Sequence, residues 1–262
     1  MRKFVAANEA IRAGFALVAT NAPCLKDIDV VILAGGLGTR ISGTLGDTPK
    51  LLAPIGGTPF LEFVINQLKM FGARRLVLGL GHLAGAVEDY LHNHPPDGVS
   101  VVAAVEPEPL GTAGALRHVA GYIESDPVLI MNGDSFFATD LCALIDGHQQ
   151  SGAVGSLLAA FMEDTQRYGR LNLSRKGRIE AFLEKNPSAA GPGVINAGVY
   201  LFSAAMIGKI CSLEGPSLEH DVFETLPAGT LNAVIGEGPF IDIGTPEDLA
   251  RAEDVLKPFS PV

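Results

Sequence analysis

The chain has 262 residues, 47% of them hydrophobic and 18% charged, and carries a net charge of −10. These values exclude a disordered chain and argue against a nucleic-acid surface, which needs clustered Lys and Arg. No apolar run reaches the roughly 18–20 residues of a membrane span. A nucleotide remains an acceptable partner, because a few local cations outweigh a distant acidic exterior beyond a Debye length of about 8–10 Å. Cys24, Cys142 and Cys211 are odd in number, far apart and without metal-ligand spacing. They predict free thiols in a reducing, cytoplasmic compartment.

Residues 1–28 begin with the basic Met1-Arg2-Lys3 and include the fairly apolar Ala13–Ala22. Asn8, Glu9, Arg12 and Asn21 interrupt that stretch too early for a signal peptide, so a helical extension is expected. Asp29–Leu33 then reads as a fully buried strand and Phe60–Phe71 as a helix with apolar residues at helical spacing. Strands follow at Arg75–Leu80, Ser100–Val105 and Pro127–Met131, alternating with helices at Leu83–Leu91 and Thr112–Tyr122. Such βα repetition predicts a Rossmann-like α/β fold, with a mainly parallel, mixed sheet between helices. After residue 150 the strands Gly155–Met162, Gly169–Leu173, Ile179–Leu183 and Val194–Phe202 have short connections. They predict a second, mixed or antiparallel portion laid against the first, within one domain over 29–262. Pro246–Leu256 closes the chain as a helix with Thr245 as its N-cap. No internal repeat is visible, so a β-helix tail is not expected. His92 and His94 read as loop residues beside Asn93 and Pro95.

Between the first strand and the first long helix lies Leu33-Ala34-Gly35-Gly36-Leu37-Gly38-Thr39-Arg40. Its glycines let backbone N–H groups turn inward as an anion nest. Arg40-Ile41 stands where a P-loop requires Gly-Lys-Ser/Thr. Ile41 also stands where the dinucleotide fingerprint requires its last glycine. Arg40 and Lys50 remain as two cations beside the loop, a fork and a point charge suited to a triphosphate. On the residues alone, a glycine turn beside two solvated cations stays open.

The run Ala34–Arg40, followed by Pro49-Lys50 and Ala53-Pro54, resembles the signature of the sugar-1-phosphate nucleotidyltransferases. The resemblance continues in family order through Glu108–Gly114, Asn132-Gly133-Asp134-Ser135, Arg167-Tyr168-Gly169, Glu184-Lys185, Asn196-Ala197-Gly198 and Asp242–Pro246, covering residues 29–256. Gly43–Asp47, Pro59–Phe63 and the early ending are similar to the D-glycero-α-D-manno-heptose 1-phosphate guanylyltransferase branch. The mannose-1-phosphate branch shares Glu108–Gly114.

The implied reaction is attack of a sugar-phosphate oxygen on the α-phosphorus of a nucleoside triphosphate, GTP in the branch resembled. A phosphate monoester is largely ionised at neutral pH. The task is therefore positioning and charge stabilisation rather than base catalysis. The resemblance assigns the nucleotide to Ala34, Gly35, Gly36, Gly38, Thr39, His82, Leu110, Gly111 and Thr112, with Arg40 and Lys50 on its phosphates. It assigns the sugar phosphate to Lys185, Tyr168, Gly169, Glu184, Asn196 and Gly198. It makes Asp134 and Asp242 ligands of Mg²⁺, the one cofactor implied. Asp134 read alone is equally a turn aspartate in Asn-Gly-Asp. Glu219 and Asp221 border the sugar site or simply form a carboxylate cluster at a helix start. The apolar helix faces suit a core or a homo-oligomer interface equally. Other nucleotides and sugars are alternatives, as is a non-catalytic, nucleotide-sugar-binding regulatory protein. Loss of Arg40, Lys50 or an aspartate would favour the last, and all are present.

Overall fold

The computed structural model describes residues 23–183 and 191–260. The first strand, β1 (Val30–Ala34), is buried on both sides and leads through the glycine loop to a single-turn helix, α1 (Ser42–Leu45). A 3₁₀ turn at Lys50–Leu52 and a small hairpin, β2 (Pro54–Ile55) and β3 (Thr58–Pro59), deliver the chain to α2 (Phe60–Met70). Next come β4 (Arg75–Leu80), α3 (Ala84–Asn93), β5 (Ser100–Val105) and α4 (Gly111–Val119). Then β6 (Val128–Asn132), β7 (Ser135–Phe137), α5 (Leu141–Ser151) and β8 (Gly155–Met162) follow. The remainder is β9 (Arg170–Leu173), β10 (Ile179–Leu183), β11 (Gly193–Phe202), α6 (Ala204–Ser212), β12 (Leu231–Gly236), β13 (Phe240–Asp242) and α7 (Pro246–Leu256).

β6, β1, β4 and β5 lie side by side and parallel. The later strands form the mixed, largely antiparallel portion expected, and they extend the first strands' sheet rather than lying over it. β11 pairs antiparallel with β6 and carries β8, and β12 runs parallel to β8, so one nine-stranded sheet spans the molecule. The reason is local: β6 keeps an apolar outer edge, and β11 is apolar enough to be buried almost throughout.

Side-chain alternation along β1 feeds two cores. Val30 and Ile32 face one core, with Phe60, Phe63 and Val64 of α2 and Leu144 of α5. Val31 and Leu33 face the other, with Leu116 and Val119 of α4 and Met206 and Ile210 of α6. Period 2 in the strand and period 3.6 in the helices produce this three-layer packing. Each fully buried Val, Ile or Phe contributes about 1.5–3 kcal/mol of transfer energy. Truncating one such residue, such as Ile32→Ala, costs about 2–5 kcal/mol.

Capping sets several boundaries. Thr245 Oγ1 accepts from the Asp248 N–H, with Pro246 in the first turn of α7. Asp140 caps α5, which ends at Gly152 in the left-handed conformation. That helix and α6 escape the apolar-run reading because their buried residues are few and widely spaced.

Three expectations are corrected. Cys24 and Cys142 form a disulfide joining the start of the described chain to α5, so of the three cysteines only Cys211 is a free thiol, and it is exposed. Leu25, inside the 1–28 segment set apart by sequence, is fully buried and bonds to the Phe71 carbonyl, so packing begins before residue 29. His92 lies in the last turn of α3 rather than in a loop, and His94 is that helix's C-cap. Residues 1–22 of the expected helical extension over 1–28 lie outside the described residues. Among the described residues, no helix is long and apolar enough to cross a membrane.

Candidate active site

The carboxyl ends of β6, β1, β4 and β5 share one sheet edge, and a cleft of about 600 Å³ opens along it. Its lining begins with Ala34–Ile41 from the glycine loop and includes Lys50, His82, Gly111, Thr112, Gly133, Asp134 and Asp242. A second cavity of about 490 Å³ is lined by Tyr168, Gly169, Arg170, Asn196, Gly198 and Glu219 among others. The two share Asn132, Ser135 and Asp242. Most of the expected nucleotide residues thus line the first cavity, and Tyr168, Gly169, Asn196 and Gly198 of the sugar set line the second, with Asp242 in both and Asp134 in the first.

Backbone pairing produces that convergence. β13 pairs antiparallel with β7, setting Asp242 opposite Ser135. The Ile243 N–H donates to the Asp134 carbonyl at 2.9 Å, and the Gly133 N–H donates to the Leu33 carbonyl at 2.8 Å. β7 is anchored from behind by buried Gln67, whose Nε2 donates to the Phe137 carbonyl at 2.6 Å. Residues more than a hundred positions apart in the chain therefore sit side by side.

The electrostatics follow from this crowding. Lys50 Nζ donates to Asp134 Oδ2 at 2.8 Å, from a half-buried position at the start of the 3₁₀ turn. Burial, and next the Asp134 charge, raise the Asp242 carboxyl above the usual range. The Gly244 N–H, which donates to Asp242 Oδ1 at 2.7 Å, opposes that shift together with Lys50 and Arg40. Two carboxylates thus share one site in which protein cations supply incomplete neutralisation. Among the described residues, no cluster of three or more His, Cys, Asp or Glu side chains could hold a metal by itself.

In the second cavity β11 bulges between Asn196 and Tyr200, where its register with β8 shifts. Gly198 takes a φ of +72° there, and a Cβ at that position would lie 2.5 Å from Asn132 Nδ2. The Gly198 N–H donates to Asn196 Oδ1 at 3.0 Å, while Asn196 Nδ2 donates to the Tyr200 hydroxyl at 2.9 Å. That hydroxyl donates to Glu219 Oε1 at 3.1 Å. Burial, and then Glu219, push the Tyr200 phenol well above its usual range, so it stays a neutral donor. Asn196 is thereby locked by hydrogen bonds on both sides.

Several expected residues stand differently. Leu110 is not among the cleft residues; its N–H donates to Glu106 Oε2 at 3.1 Å. Arg167 is held away by an ion pair with Asp248 and a hydrogen bond to Thr245 Oγ1. Although burial acts the other way, the hydrogen bonds from Arg167 and Thr245 hold the Asp248 carboxyl below its usual range. Asp221 accepts from the Ser217 N–H as a turn-forming group, whereas Glu219 does line the second cavity. Glu184 and Lys185 lie outside the described residues. Glu106, Asn132, Ser135 and Arg170 line the cavities without having been assigned a role from sequence. Glu106 was findable, since it follows an apolar parallel strand much as Asp134 follows β6.

A phosphate-binding type of loop, cations and paired carboxylates at the carboxyl edge of a mainly parallel sheet define a nucleotide-using α/β transferase. The chain belongs to the nucleotidyl transferase family, whose model matches residues 29–257. It is 32% identical to the D-glycero-alpha-D-manno-heptose 1-phosphate guanylyltransferase of Campylobacter jejuni, across 84% of this chain and 96% of that protein. It is 30% identical to a mannose-1-phosphate guanylyltransferase of Mycobacterium tuberculosis, across 89% of this chain and 66% of that protein. The crystal structure of HddC from Yersinia pseudotuberculosis superposes with a TM-score of 0.76 at 32% identity, over 87% of this chain and 98% of that one. HddC has also been crystallised with GMP-PN.

Proposed function

We propose that this protein transfers GMP from GTP to D-glycero-α-D-manno-heptose 1-phosphate, giving a GDP-sugar and pyrophosphate. The observation that carries the proposal is the junction of the two cavities at Asn132, Ser135 and Asp242, with the ion-paired Asp134 and Lys50 on the larger cavity's side. A triphosphate in the larger cavity and a sugar phosphate in the smaller one would meet there. The guanylyltransferase relatives support the choice of base and sugar.

Within this reading the glycine loop presents N–H groups to the β- and γ-phosphates, and Arg40 forks onto their oxygens. Lys50 turns from Asp134 to the phosphates and steadies the leaving pyrophosphate. Asp134 and Asp242 would hold Mg²⁺, a fit supported by two clustered carboxylates with incomplete neutralisation and by the preference of that ion for one or two carboxylates plus phosphates. Bound there, the ion would supply charge neutralisation at the α-phosphate. Asn196 and Glu219 orient sugar hydroxyls, and Lys185 meets the sugar phosphate, so that its oxygen faces the α-phosphorus in line.

The test is pyrophosphate release with Mg²⁺, crossing GTP, ATP, UTP, CTP and dTTP with heptose, mannose and glucose 1-phosphates. Preference for GTP with the heptose phosphate is expected. Preference for GTP with mannose 1-phosphate would keep the chemistry and move the sugar. Silence across the panel with nucleotide binding intact would favour the regulatory reading.

A further inference from the structure

The second cavity holds an arginine to which the transfer chemistry gives no task. Arg170 opens β9, where its backbone pairs with Ile195 of β11 on one side and Leu183 of β10 on the other. Its half-buried side chain lines the cavity. Nη2 donates to the Pro192 carbonyl at 3.1 Å. Gly193 leaves the space that the guanidinium fills, since a Cβ there would lie 2.7 Å from Nε. Nearby Arg167 is neutralised by Asp248, whereas Arg170 has no ion pair among the described residues. A guanidinium is all donor and no acceptor, so the Pro192 bond leaves most of its N–H groups for a ligand.

The place of Arg170 in the sheet says which part of a ligand it meets. β9 lies two strands from β6, about 10 Å at the usual strand spacing. The two cavities join at Asn132, Ser135 and Asp242. A sugar 1-phosphate must hold its phosphate at that junction to reach the α-phosphorus, so its ring extends toward β9 and its exocyclic arm reaches farthest. Glu219 and Glu224 line the cavity as acceptors for sugar hydroxyls; Arg170 supplies donors. Its planar fork suits two neighbouring oxygens, where a lysine would offer a single point charge. D-glycero-D-manno-heptose is mannose with one further hydroxymethyl group on C6. Its arm therefore ends in adjacent hydroxyls on C6 and C7, whereas mannose has the C6 hydroxyl alone.

We propose that Arg170 is the residue that selects a heptose over a hexose, its guanidinium donating to the C6 and C7 hydroxyl oxygens while the Pro192 carbonyl fixes the fork. This rests on the reading of the second cavity as the sugar-phosphate site.

The experiment measures kcat and KM by pyrophosphate release, with saturating GTP and Mg²⁺, for the heptose and mannose 1-phosphates. It compares the full chain with Arg170→Met and Arg170→Lys. The wild type is expected to favour the heptose phosphate about 10- to 100-fold in kcat/KM, the scale of a hydrogen bond from a charged donor. Arg170→Met should bring that ratio to within about threefold, chiefly through the KM for the heptose phosphate, while mannose 1-phosphate loses less than about tenfold. Arg170→Lys should fall between the two. A heptose preference that survives Arg170→Met overturns the role of Arg170 and leaves the heptose reading standing. Equal losses on both sugars, in a variant with an unchanged melting temperature, also overturn it, because the guanidinium would then serve the shared ring or phosphate. A wild type that prefers mannose 1-phosphate overturns both readings. The wild type with 7-deoxyheptose 1-phosphate needs no variant: use of that analogue as efficient as use of the parent heptose phosphate overturns the assignment.

Discussion

Lys50 and Asp134 offer a prediction whose two halves point in opposite directions. At 2.8 Å, with side chains 19% and 32% exposed, the pair is neither a surface bridge nor a buried one. The bare Coulomb attraction is about 6 kcal/mol at an effective dielectric of 20, most of it cancelled by desolvation and side-chain ordering. A net contribution of about 1–2 kcal/mol falls between exposed pairs and fully buried ones. Lys50→Met keeps the stem and removes the charge, leaving Arg40 as the remaining cation acting on Asp242 among the described residues. The metal-free variant should melt about 3–6 °C lower than wild type. Yet Mg²⁺ alone should raise its melting temperature more than it raises that of wild type, because no ammonium has to be displaced from Asp134. Turnover should fall about 10²- to 10³-fold, since the phosphates lose a main electrostatic partner. Differential scanning fluorimetry across a Mg²⁺ titration, with pyrophosphate release alongside, measures both. A smaller Mg²⁺ response in Lys50→Met than in wild type would refute the idea that Lys50 holds the place of the cation.

Asp242→Asn should separate stability from activity. Burial and the Asp134 charge raise the Asp242 carboxyl, so the folded chain holds its proton more tightly than the unfolded one, and stability falls as pH rises through that range. The variant should therefore melt above wild type at pH 7–8 without divalent cations. That advantage should vanish as pH falls to the ordinary value of 3.8, while turnover is lost throughout; a lower melting temperature at neutral pH would contradict the account. Asp134→Asn should lower turnover about 10²-fold with an unchanged circular dichroism spectrum, and near-normal turnover would exclude a metal role. Gly198→Ala must hold a φ of +72° with its Cβ against Asn132. It should lose about 1–2 kcal/mol of stability in urea melts and raise the KM for sugar phosphate much more than the KM for GTP; equal rises would place Asn132 outside the sugar site.

The longer helices and strands up to residue 132 were legible because each carries a helical or strand period, whereas the short α1, β2 and β3 carry none, and Thr245-Pro246 announced α7 through cap chemistry alone. The glycine loop, Lys50, Asp134 and Asp242 stood out because glycines and charges at the ends of apolar segments have few structural uses. What the linear order could not contain was adjacency. Nothing in Gly193–Phe202 says that it pairs with β6 rather than with a second sheet, because strand pairing is settled by which apolar edge is left uncovered. Asp242 comes beside Asp134 only through the pairing of β13 with β7, and Arg167 is drawn off by Asp248 from a helix about eighty residues away. The same holds for Cys24 and Cys142, separated by 118 positions and brought to a Cα distance of 5.7 Å by packing against α5. Glu106 shows the division best: its place after a strand was visible, but its unpartnered oxygen exists only once Gly35 and Leu110 close around it. Local chemistry, short in range and periodic, wrote the elements and the residue types; burial and charge compensation among distant segments decided which of them meet.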